Sequence, residues 1–186
     1  MNAGGAALVA VDGVNGAAVK AAARARLAAA DRHLRGGISV WDASGVFEEL
    51  AVAGDKAGRP SARTLLLLYA ADLAFRLRWE IRPALAEGRI VVAAPYVDTA
   101  IAFGRAVGLT AAWLTDLFRF APRADEYAYS DSGPARQVAK RDGFVEFGCD
   151  RIAALPNGVT RHQVLEHARS HLEIAARRKK RSKGAA

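Results

Sequence analysis

Short apolar runs recur along this chain, each too brief for a helix and apolar on both of its faces, with helical patterns between them. The runs are AALVAV (6–11), GISVWD (37–42), RIVVAA (89–94), DEYAYS (125–130) and, more weakly, RIAAL (151–155). Helical periodicity occupies about 16–32, 45–53, 61–87, 97–106, 110–118, 133–141 and 160–178. A strand that is apolar throughout must be buried on both sides. Its alternation with helices therefore predicts a mostly parallel, five-stranded sheet covered by helices, an α/β domain of three layers. Such sheets bind ligands at the carboxyl ends of their strands. Ser61 is placed to cap the long third helix, and Pro83 inside that helix predicts a kink or a break. The segment AGDKAGRP (53–60) reads as the most flexible loop. No internal repeat is present.

The balance of residue types narrows the class. At 186 residues, 52% hydrophobic and 25% charged, the chain has a globular composition with room for one core. One cysteine, Cys149, excludes an internal disulfide framework and fits a reducing compartment. No run approaches the roughly 18 apolar residues of a membrane span. No basic region precedes the first apolar run, so no secretion signal is expected and the expected location is cytoplasmic. The net charge of +8 is concentrated at one end. RRKKRSK, Arg177 to Lys183, holds six of the 27 basic residues, and the other 21 against 19 acids leave a body of +2. A nearly neutral body is unlike a nucleic-acid reader. The basic run is either a solvated helix end, where cations complement the dipole, or a weak contact for nucleic acid or an anionic surface. This divides the chain into a domain over 1–176 and a basic tail over 177–186.

The first strand runs into a glycine loop and a helix, LVAVDGVNGAAVKAAA (8–23). That layout is shared by phosphate-binding loops, whose backbone N–H groups cradle phosphates while a lysine and a hydroxyl serve the transferred group and magnesium. Here Gly13 and Gly16 are present, but Ala18, Val19 and Lys20 stand where GKS or GKT is needed. The Ala18 Cβ is expected to obstruct the tight turn. Lys20 lies one residue late, about 100° round the helix, and is not expected to replace the lysine.

Three stretches in order resemble the thymidylate kinase family. VAVDGVNGAAVKAA resembles its strand and loop, LLLLYAADLAFRLRWEIRPALAEGRIVVAAPYVDTAIAFG its central helix and third strand, and FAPRADEYAYSDSGPARQVAKRDG its fourth strand and beyond. The resemblance covers most of 6–143 and implies a P-loop-kinase-like fold, and a dimer paired through helices such as TLLLLYAADLAF and AIAFGRAVGL. It also implies a nucleotide cleft in which Tyr69 takes the base-stacking position and Tyr96 and Phe103 line the wall. In the family's DRY segment this chain has Ala94, Pro95 and Tyr96. The arginine position after strand two is Asp42, that of the ADR segment is Leu73, and the sugar-contacting carboxylate is Asn15. The loop remnant is Gly13, Gly16, Ala17, Ala18, Val19 and Lys20; a lid remnant would hold Arg136, Lys140 and Arg141.

These losses touch every charged part of phosphoryl transfer. Removing one preorganised donor commonly costs roughly 10² to 10³ in rate, so several together predict that ordinary kinase activity is gone. The leading reading is a noncatalytic relative that binds a nucleoside-like or other small ligand, or acts through protein contacts. The alternatives are an active kinase using ATP and Mg²⁺, with Lys20, Arg76, Arg136, Lys140 or Arg141 standing in, or an enzyme of unrelated chemistry using Tyr69, Tyr96 or Asp98. The aromatic residues serve either as a ligand platform or as plain core. Asp12, before the loop glycine, and Asp98 are the acids left near the cleft; Asp12 and Lys20 are the catalytic candidates. His167 and His171 share a face on the last helix with His162 nearby, but the segment lacks a zinc-protease motif and no metal site is expected. Ser44, Ser130 and Ser132 fall at strand ends without a nucleophile frame, and Cys149 has no evident base.

Overall fold

The computed structural model describes residues 5–53, 58–130 and 143–184. Four strands, β1 (Ala7–Asp12), β2 (Arg35–Val40), β3 (Ile90–Ala94) and β4 (Glu126–Tyr129), form one sheet in the order β2-β3-β1-β4. Every pairing is parallel; Val9 sits opposite Val92 and Glu126, and Ile38 opposite Val92. The helices are α1 (Gly16–Ala29), α2 (Val46–Ala53), α3 (Ala62–Arg76), α4 (Arg82–Ala86), α5 (Val97–Ala106), α6 (Ala111–Phe118), α7 (Phe144–Arg151) and α8 (Arg161–Gly184). Among the described residues no helix is long and apolar enough to cross a membrane.

Strand alternation explains the layers, because successive side chains leave opposite faces. Val9 and Val11 of β1 join Val92 and Ala94 of β3 in a small core under Val19 and Ala23 of α1. Leu8, Ala10, Val91 and Ala93 face the other way, into the main core built by α3, α5, α6, α7 and α8. α8 packs on α5 and β4, with Val164, Ala168 and Leu172, one helical turn apart, buried.

Among the described residues the sheet has four strands, not the expected five. The RIAAL segment ends α7 instead: Ile152 is its buried C-cap, and the Ala153 N–H bonds the Pro60 carbonyl rather than a strand neighbour. A helix at 144–151 was missing from the sequence reading. Ser61 does cap α3, its hydroxyl accepting from Thr64 N at 3.1 Å. Near Pro83 the regular helix is interrupted: a π-turn at Leu77–Ile81 joins α3 to α4, which holds Pro83 in its first turn. α8, expected to end near residue 178, continues to Gly184 and carries the basic run. The expected helix at 133–141, Ser132, the lid positions Arg136, Lys140 and Arg141, and residues 54–57 of the expected loop lie outside the described residues.

Candidate functional site

The loop between β1 and α1 lies at the carboxyl end of the sheet, where a parallel α/β fold keeps its sites. Asn15 caps α1, its side chain accepting from Ala18 N at 2.9 Å. The Gly13 N–H donates to Thr99 Oγ1 (3.0 Å), which in turn donates to Asp12 Oδ1 (2.7 Å). Gly13 is required by contact: a Cβ there would lie 1.9 Å from Ser130 Oγ. Ala17 is exposed and Ala18 sits in regular helix with no positive φ, so Ala18 does not strain the turn as expected. Val19 is buried against the sheet. Lys20 lines a separate cavity of about 190 Å³ with Trp41, Asp42, Glu48 and Phe147.

The head of α1 is covered by α7. Glu146 Oε2 lies 3.4 Å from Gly16 N and accepts its N–H. Gly143 approaches so closely that a Cβ on it would be 2.8 Å from Gly16 N. An anion arriving at this helix start therefore meets a carboxylate already there. Beneath it, Phe144 anchors α7 in the cleft wall. Its ring is 4.3 Å from that of Tyr69, 5.5 Å from Phe103, 5.7 Å from Trp41 and 5.9 Å from Phe47.

Tyr69, Phe103 and Leu73 are fully buried. The Tyr69 hydroxyl donates to the Tyr96 carbonyl (2.7 Å), and the Tyr96 hydroxyl to the Pro122 carbonyl (2.7 Å). Burial pushes the Tyr69 phenol above its usual range. In this conformation the aromatic residues are core, and no open platform is present among them. Arg76 is equally enclosed. Its Nε pairs with Asp72 at 3.1 Å with both side chains at 0% exposure, and NH1 donates to the Pro95 carbonyl at 3.1 Å. Asp72 in turn accepts from Asp42 N, Ser44 N and Ser44 Oγ, which holds the loop after β2. Arg76, expected as a stand-in for a lost cation, is thus buried against Asp72 and the Pro95 carbonyl.

Asp12 is 1% exposed. Its Oδ1 accepts from Tyr96 N (2.9 Å), Thr99 N (3.0 Å) and Thr99 Oγ1, while Oδ2 has no hydrogen-bond partner among the described residues. Desolvation first, and the nearby Asp98 charge second, push its carboxyl up to about 6 despite those donors. Asp98 receives the Tyr129 hydroxyl at 2.5 Å and pairs with Lys179. Burial and that hydrogen bond raise the Tyr129 phenol. His171 is lowered by burial, Arg105 and His167, and Cys149 is buried with its thiol pushed up to about 12.

The sequence reading therefore brought together Asp12, Gly13, Asn15, Gly16, Tyr69, Tyr96 and Phe103, with Asp98 beside them through α5. It missed Thr99, Phe144, Glu146 and the Asp72–Arg76 pair. Two signals were available: Asp72 and Arg76 stand at i and i+4 of one helix, and GFVEFG places Phe144 and Phe147 one turn apart after a glycine.

No family model matches the chain. Among curated proteins it is 33% identical over 132 residues to the probable thymidylate kinase of Pyrococcus horikoshii, covering 69% of this chain and 62% of that protein. It is 34% identical over 121 residues to the probable thymidylate kinase of Thermococcus onnurineus, covering 61% and 58%. The chain thus spans about three fifths of the length of these relatives. Among solved structures, the crystal structure of thymidylate kinase from Ehrlichia chaffeensis superposes with a TM-score of 0.59 at 16% identity, covering 68% of this chain and 72% of that one. That likeness speaks for the fold, a parallel sheet flanked by helices. By its sequence matches and its architecture, the chain belongs to the thymidylate kinase family.

Proposed function

We propose that this protein is a noncatalytic member of its family, one that no longer transfers phosphoryl groups from ATP and works by binding, with its inherited cleft held shut by α7. The observation that carries this reading is the Glu146 carboxylate on the Gly16 N–H, with Gly143 packed against the same backbone. A phosphate entering there must displace a group of its own sign. Val19, at the position of the reactive lysine, is buried among valines and alanines of the sheet and supports the same view. The residues do not fit an ATP–magnesium pair, since Lys20 takes the place of the magnesium-holding hydroxyl and lies beside Asp42 and Glu48 instead. The ligand of such a cleft is a small nucleoside-like molecule without a phosphate, received against Tyr69 and Phe103 once Phe144 withdraws.

The test is a coupled assay for ADP formation by the pure full chain with ATP, thymidylate and magnesium. The expected rate is indistinguishable from the blank. Clear turnover that disappears in Lys20→Gln overturns the proposal. A thermal-shift series across nucleosides and nucleotides reads the binding half of the reading. A ligand at about a hundred times its dissociation constant adds roughly 2.7 kcal/mol of stability.

A further inference from the structure

A second cavity opens beside the last helix. A groove of about 430 Å³ runs between the edge strand β4 and the last turns of α8, bounded by Arg123, Asp125, Tyr127, Tyr129, Lys179 and Lys180. That volume is in the range of small-molecule sites. Several lining groups are already committed. Asp125 Oδ2 accepts the Leu8 N–H at 2.8 Å, and Lys179 pairs with Asp98 while resting 3.4 Å above the Tyr127 ring. Others are not. The Tyr127 hydroxyl accepts from Ala124 N at 3.0 Å, so its single proton is left to donate, and among the described residues it meets no acceptor. Arg123 and Lys180 likewise have no ion-pair partner among the described residues. With Asp125 set against those two cations and Lys179 balanced by Asp98, the groove carries one net positive charge. Tyr129 and Ala176 give it an apolar side.

We propose that the groove between β4 and α8 binds a small organic anion that carries a ring, an aryl carboxylate or aryl phosphate. Its acid group is received by the Tyr127 hydroxyl, Arg123 and Lys180, and its ring lies against Tyr129 and Ala176. The three donors come from one strand, its preceding loop and a helix and meet in a concavity, which suits a compact anion. A nucleic-acid backbone instead needs a row of cations on an open face. The proposal uses none of the residues that carry the proposed function, Glu146, Gly16, Gly143 and Val19, so its failure leaves that reading untouched.

Calorimetric titration of the full chain with benzoate, phenyl phosphate and inorganic phosphate tests the proposal, with a single-stranded RNA oligomer as a fourth probe. The expected result is saturable binding of one equivalent of an aryl anion, with inorganic phosphate about tenfold weaker for want of a ring. The two aryl anions, compared with each other, tell a carboxylate site from a phosphate site. Lys180→Gln and Arg123→Gln, both at exposed positions, should each weaken the aryl anion about tenfold and leave the melting temperature of the free protein unchanged. Tyr127→Phe should weaken it as well. No saturable binding of either aryl anion, unaltered affinity in all three variants, or inorganic phosphate binding as tightly as the aryl anions overturns the proposal. So does RNA binding lost with Lys180→Gln when aryl anions do not bind.

Discussion

Replacing Phe144 by alanine removes the ring at the centre of the aromatic cluster that keeps α7 in the cleft. Phe144 is 1% exposed and touches Trp41, Phe47, Tyr69 and Phe103. A buried Phe→Ala exchange costs about 3–5 kcal/mol, from lost transfer energy and the cavity left behind. The polar hold on α7 is weak by comparison: at 3.4 Å the Glu146–Gly16 hydrogen bond is long, and such a bond contributes about 1 kcal/mol or less. The aromatic anchor should therefore dominate the docking. Domains of this size have total stabilities of roughly 5–15 kcal/mol, so the variant should remain folded at 25 °C but open locally. Urea unfolding followed by tryptophan fluorescence measures the loss, since Trp41 lies against the deleted ring. Amide exchange measures where it falls. The Phe147 and Ile152 N–H groups, bonded within α7 to Gly143 and Gly148, should exchange faster relative to β1 amides than in the parent. Thymidine should then bind the variant more tightly. A loss below about 1 kcal/mol with unchanged exchange in α7 refutes the claim that Phe144 closes the cleft.

Asp12→Asn should flatten the dependence of stability on pH. The Asp12 carboxyl is raised from 3.8 to about 6, so the folded state holds its proton more firmly than the unfolded chain does. Stability therefore falls as pH rises through that window, by about 3 kcal/mol in all, and the full penalty is present at neutral pH. Asparagine keeps the acceptor for Tyr96 and Thr99, so urea midpoints from pH 4 to 8 should lose this slope; a slope that persists in the variant contradicts the assignment to Asp12. Asp72→Ala should cost about 3–5 kcal/mol by leaving the Arg76 guanidinium buried without its counterion. Adding Arg76→Met should recover part of that loss in chemical denaturation, and a double variant weaker than the single would show that charge burial is not the cause.

Much of the fold was readable because burial writes itself into periodicity. Val9, Val11, Val92 and Ala94 face one layer and Leu8, Ala10, Val91 and Ala93 the other, so those runs had to be strands covered on both sides. The fifth run misled for a physical reason. Only Ile152 of RIAAL is buried, and one side chain is as easily satisfied by a helix end as by a strand. In the site, Asn15 and the two loop glycines could be placed from the strand–loop–helix pattern. Thr99 could not, because its role is to link Gly13 and Asp12 across 86 and 87 positions of chain.

The sequence by itself determined that the chain makes a parallel sheet whose first strand runs into a loop holding Gly13 and Gly16, followed by Ala18, Val19 and Lys20. Apolar period and residue identity are local properties that survive without knowledge of neighbours. Only the tertiary structure decided what fills the cleft. Glu146 reaches Gly16 across 130 positions, and Phe144 packs against a tyrosine on another helix. A helical pattern says which face of α7 is apolar, but the partner of that face is set by how the whole core packs.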